Sequence, residues 1–104
     1  MTDPYLPAIE ASEALSDPRP LIDVRKATAR DGAPDIAGTR WIDPFRLDHD
    51  HPLIEAAVPV IFFCVHGHEV SRYACALARL HRIDAAYVEG GYEALVTAGA
   101  RRAP

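Results

Sequence analysis

Residues 59–71 read Pro59-Val60-Ile61-Phe62-Phe63-Cys64-Val65-His66-Gly67-His68-Glu69-Val70-Ser71, and the fold turns on how they are read. Pro59 to Cys64 is continuously apolar, rich in β-branched and aromatic residues, and too short for a helix. A run of that kind reads as a strand buried on both faces, as in a parallel sheet. A seven-residue loop with one glycine follows, then a helix from about Val70 to His81. Its expected buried stripe is Tyr73, Ala74, Leu77, Ala78 and Leu80.

Outward from this unit, short strands alternate with helices. Leu21 to Arg25 reads as a strand entering a polar loop. Residues 26–38 read as mostly irregular with one helical turn, Thr39 to Ile42 as a short strand closed by Asp43-Pro44, and Ala85 to Val88 as another. Helices are expected over Ile9 to Leu15, over Pro52 to Ala57 with Asp48 or Asp50 near its start, and over Tyr92 to Ala98. Residues 1–8 and 100–104 read as peripheral, the last of them frayed. Strands alternating with helices imply an α/β domain spanning 1–104, with helices on both faces of a parallel sheet. Such sheets place their sites beyond the carboxyl ends of the strands, and Cys64 ends the most buried one.

Composition narrows the function. Hydrophobic residues are 49% and charged residues 25% of the 104, as in globular proteins. Eleven basic against fifteen acidic residues argue against a nucleic-acid partner. The longest apolar run, Val60 to Val65, is far below a membrane span. With only two cysteines, Cys64 and Cys75, and no signal-like start, the chain reads as reduced and cytoplasmic.

A strand–Cys–loop–helix unit turns successive backbone N–H groups and the positive end of a helix dipole toward one point. A sulfur there is favoured as the thiolate. Gly67 lets the loop turn with positive φ and lets its backbone approach a bound atom. An inert buried cysteine is the other reading of the same residue. The pattern Cys64-x-His66-x-His68 does not read as a metal site, because alternate side chains of a tight cradle splay outward; His49 and His51 read as solvated. Asp23 and Arg25 read as a loop-holding pair, Cys75 as a small buried residue, and Trp41 and Tyr92 as core or pocket wall.

Four segments carry a family resemblance: Leu21-Ile22-Asp23-Val24-Arg25, Ile36-Ala37-Gly38-Thr39, Phe63 to His68 and Val88-Glu89-Gly90-Gly91-Tyr92-Glu93-Ala94-Leu95. In this order and spacing they resemble the single-domain rhodaneses, thiosulfate sulfurtransferases, over nearly the whole chain. The resemblance implies a five-stranded parallel sheet and a Cys64 that becomes a persulfide, cradled by the amides of Val65, His66, Gly67, His68, Glu69 and Val70, with Arg72 near the mouth. It implies a small donor, thiosulfate or a persulfide, an acceptor that is a thiol, cyanide or a protein, and no metal or organic cofactor. The chain departs from the commoner Cys-x-x-Gly-x-Arg pattern, which carries arginine where this loop has Glu69. A rhodanese-like module that binds a partner or senses oxidants or oxyanions through Cys64 is the alternative. The longer phosphatase-type loop needs arginine six residues after the cysteine; that position is Val70.

Overall fold

The structure, a computed structural model, describes residues 6–46 and 58–103. The helix expected over 52–57, with Asp48, His49, Asp50 and His51, lies outside the described residues. Five strands form one sheet: β1 (Ala8–Ile9), β2 (Leu21–Asp23), β3 (Arg40–Trp41), β4 (Val60–Phe63) and β5 (Ala85–Val88). The helices are α1 (Ala11–Ser16), α2 (Ala27–Arg30), α3 (Glu69–Leu80) and α4 (Gly91–Thr97), with a 3-10 turn at Pro44–Arg46. The strand order is β1-β5-β4-β2-β3, and every pairing is parallel. The parallel α/β architecture read from residues 59–71 is therefore the observed one.

The hydrophobic strand β4 sits at the centre of the sheet, and like its neighbour β5 it buries all four of its residues between two layers of side chains. Its side chains alternate. Val60, Phe62 and then Cys64 join Ala74, Cys75 and Ala78 of α3, while Ile61 and Phe63 join Ala11 and Ala14 of α1 and Leu95 of α4. Strict alternation thus delivers the Cys64 side chain to the α3 face. Registers Asp23↔Phe63 and Phe62↔Tyr87 bring the carboxyl ends of β2, β4 and β5 to one edge of the sheet.

Three expectations are corrected. Ile9 belongs to a strand rather than a helix: it pairs with Val88, and its carbonyl accepts from the Glu89 N–H at 2.9 Å. The edge of β5 offered ladder bonds that outweighed a short, weak helical pattern. In α3 the buried stripe is Ser71, Ala74, Cys75 and Ala78, while Tyr73 and Leu80 are exposed. Small side chains allow this helix to sit close to the sheet, so the large ones turn outward. The segment 100–103 is not frayed: Ala37 N–H donates to Arg101 O at 2.8 Å and Ala103 N–H to Asp35 O at 2.7 Å. No helix among the described residues is long and apolar enough to cross a membrane.

Candidate active site

Cys64 follows the last residue of β4, is 6% exposed, and borders a cleft of about 450 Å3. Its partners in that wall are Val65, His66, His68, Glu69 and Val70 from the loop and first turn of α3, with Arg25, Lys26 and Ala29 from the segment after β2. The Sγ–H of Cys64 donates to Ser71 Oγ at 3.2 Å, and Ser71 is fully buried. Ser71 lies in the first turn of α3, where the helix N–H groups lack intrahelical acceptors.

Two glycines hold the loop against the β5–α4 turn. Gly67 has φ +71°, and a Cβ there would stand 2.5 Å from Val88 O and 2.9 Å from Gly90 N. Gly91 has φ +60°, and a Cβ there would run into the carbonyl oxygens of Cys64 and Val65. The backbones touch because neither residue carries a side chain. The Tyr92 N–H donates to Cys64 O at 2.7 Å and closes the joint.

Beside the cleft, Asp23 and Arg25 are each 1% exposed and paired at 2.8 Å. Arg25 also reaches Asp35 at 3.0 Å, and its guanidinium carbon lies 4.4 Å from the centre of the Tyr92 ring. The Arg30 hydrogen bonds hold the Asp35 carboxyl below its ordinary range, helped by the charges of Arg30 and Arg25. The Trp41 indole N–H donates to Arg25 O at 2.8 Å, and the Tyr92 hydroxyl donates to Pro34 O at 2.7 Å. Arg25 is therefore consumed by a network that fixes the loop after β2, and its guanidinium is neutralised where it borders the cleft.

The structure brings Cys64, Val65, His66, His68, Glu69 and Val70 together around the cleft, with Gly67 behind the loop. Arg72 stands apart: its guanidinium carbon lies 5.4 Å from the centre of the Tyr87 ring, and Arg72 is not part of the cleft wall. The His66 and His68 ring centres are 6.2 Å apart. Among the described residues no three of His, Cys, Asp and Glu are placed to hold one metal ion. Cys75, fully buried on the core-facing side of α3, has its thiol pushed up to about 11 by burial. Both cysteines are free.

Sequence reasoning missed Ser71 and Lys26. Ser71 is readable once the helix phase is set by Ala74, Cys75 and Ala78, since it stands three residues before Ala74. Lys26 follows from the parallel-sheet rule, because it leaves the carboxyl end of the strand beside β4.

No protein-family model matches the chain, and no curated protein matches it. Among solved structures it is similar to a rhodanese-related protein of Thermoplasma volcanium, with TM-score 0.76 and 21% identity over 89% of this chain and 93% of that one. It is similar to a rhodanese-like domain protein of Staphylococcus aureus, with TM-score 0.74 and 20% identity over 95% of this chain and 100% of that one. It is also similar to a Rhodopseudomonas palustris protein described as of unknown function and a possible tyrosine phosphatase, with TM-score 0.74 and 18% identity over 94% and 85% of the two chains. The chain has the rhodanese-like fold.

Proposed function

We propose that the protein is a sulfurtransferase of the rhodanese type, carrying sulfane sulfur on Cys64. The observation that supports this most is the thiol itself. It stands at the carboxyl end of the central strand, at the wall of an open cleft, under a glycine-clamped loop and beside the Ser71 hydroxyl at 3.2 Å. The Cys64 thiolate attacks the outer sulfur of the donor. The donor S–S bond breaks, and sulfite leaves with the electron pair when the donor is thiosulfate. The Cys64 persulfide rests against the amides of residues 65–70 and against Ser71. An acceptor thiolate or cyanide then attacks the terminal sulfur and restores the Cys64 thiolate.

The phosphatase reading offered for one neighbour is not favoured here. Val70 packs against the hydrophobic core at the position where phosphate would need a bidentate arginine.

The test is intact mass after incubation with thiosulfate. A gain of one sulfur atom that disappears with cyanide, and that Cys64→Ser lacks while Cys75→Ser keeps it, is the expected result. A gain that persists in Cys64→Ser overturns the assignment of the carrier. A chain that gains no sulfur from thiosulfate or from a low-molecular-weight persulfide leaves the binding-module reading in its place.

A further inference from the structure

The cleft at Cys64 does not end at its own wall. A second groove of about 370 Å3 adjoins it, lined by Lys26, Pro44, Phe45, Glu69, Val70 and Tyr73. Lys26, Glu69 and Val70 line both spaces, so the two meet along these three residues. Each space is of the size that binds small ligands. Phe45 is 72% and Tyr73 49% exposed, two aromatic surfaces left to water in the groove beside the Cys64 cleft.

Charge narrows the occupant further. Where the two spaces meet, Lys26 and Glu69 offer one positive and one negative group and Val70 offers none; Arg25 is already neutralised by Asp23 and Asp35, and the His66 and His68 rings line the Cys64 cleft but not the groove. A dianion meets little net attraction here. A monoanion with an apolar substituent gains the Lys26 ammonium at its charged end and the aromatic surfaces at the other.

Resting on the sulfur-transfer reading, we propose that the groove of Phe45 and Tyr73 is a subsite for an apolar, preferably aromatic, substituent on the sulfur donor, so that organic monoanionic donors are preferred to thiosulfate. With an organic thiosulfonate the Cys64 thiolate attacks the outer sulfur, the S–S bond breaks, and the sulfinate leaves with the electron pair. The transferred sulfur becomes the Cys64 persulfide, and the substituent departs from the groove with the sulfinate.

The test uses the full chain and three donors: thiosulfate, methanethiosulfonate and benzenethiosulfonate. Initial rates of persulfide formation give kcat/KM for each. Benzenethiosulfonate is expected to exceed methanethiosulfonate by about tenfold, mostly through KM, as partial burial of one ring allows. Phe45→Ser and Tyr73→Ser change exposed side chains, and far-UV circular dichroism checks their fold. In both the ratio of the two thiosulfonates is expected to fall at least threefold, which separates the groove from the intrinsic reactivity of the donors. A ratio unchanged in both variants overturns the subsite while leaving sulfur transfer standing. Failure of all three donors to form a persulfide overturns both.

Discussion

Cys64 Sγ and Ser71 Oγ lie 3.2 Å apart, both buried, on successive elements that the sequence separates by seven residues. The hydroxyl has one proton and two lone pairs, so it accepts from the thiol and donates to a thiolate or to the inner sulfur of a persulfide. It is therefore a partner for Cys64 in either protonation state.

Ser71→Ala removes that partner and leaves the helix intact, since alanine suits a stripe of small residues. A hydrogen bond to a charged group contributes about 1.5–3 kcal/mol. Persulfide formation is expected to slow by about 10- to 100-fold with an unchanged melting temperature to within a few degrees. Stopped-flow rates with the sulfur donor, beside thermal melts, check this. Wild-type rates in Ser71→Ala show that the hydroxyl is only packing.

Cys75 offers a pH test. Its thiol is pushed from 9.0 up to about 11 by burial, so the folded protein holds that proton more tightly than the unfolded chain. Its contribution is full below about pH 9 and falls as pH rises from 9 to 11. The loss at its end is on the order of 2–3 kcal/mol. Urea unfolding at pH 8 and pH 10.5 is expected to show a smaller drop for Cys75→Ala than for wild type. At pH 8 a haloacetamide is expected to modify Cys64 and spare Cys75, read by peptide mass.

Gly91→Ala places a methyl group against the carbonyls of Cys64 and Val65 at φ +60°. Backbone strain and overpacking together are expected to cost about 2–5 kcal/mol. Gly67→Val is expected to harm turnover more than His68→Ala, because its Cβ meets Val88 O at 2.5 Å whereas His68 is exposed. Gly32 has a similar φ of +74° but open space around it, so Gly32→Ala is expected to cost only about 1–2 kcal/mol. Denaturant midpoints of the variants rank these effects. Equal midpoints for Gly91→Ala and Gly32→Ala contradict the clamp.

Asp23→Leu leaves the buried Arg25 guanidinium with only the part-exposed Asp35 as its counter-charge and is expected to cost about 3 kcal/mol. The double variant Asp23→Leu/Arg25→Met is expected to recover much of that, because it removes the charge as well as its partner. A double-mutant cycle in urea measures the recovery, and strict additivity of the two single losses excludes the pair as the cause.

Glu69 lines the cleft where the commoner loop pattern carries arginine. Glu69→Arg is expected to raise thiosulfate kcat/KM by about two- to tenfold, mainly through KM. The gain should shrink as salt screens it. Steady-state kinetics at low and high ionic strength decide; no gain at low salt means that Glu69 does not face the donor.

Much of this was legible before the structure. The continuous apolar run from Pro59 to Cys64 marked the most buried strand, and the position of Cys64 at its end pointed to the candidate site. The phase of α3 was misread because hydrophobicity favours Tyr73, Leu77 and Leu80, whereas close approach to the sheet selects Ser71, Ala74, Cys75 and Ala78. That same error hid Ser71 from view. Ile9 and the segment 100–103 were misread because their partners, Val88 and residues 35–37, are distant in sequence. Local pattern does not report such pairings.

The dovetail between Gly67 and Gly91 makes the thiol loop a two-part inheritance. Residues 64–70 hold their shape only where a bare backbone at 90–91 receives them, so the halves are free to drift only as a matched set. A graft that swaps the loop for that of another rhodanese-fold protein must carry the donor's own β5–α4 turn. Library designs that randomise 65–70 alone will sample mostly chains unable to close the joint.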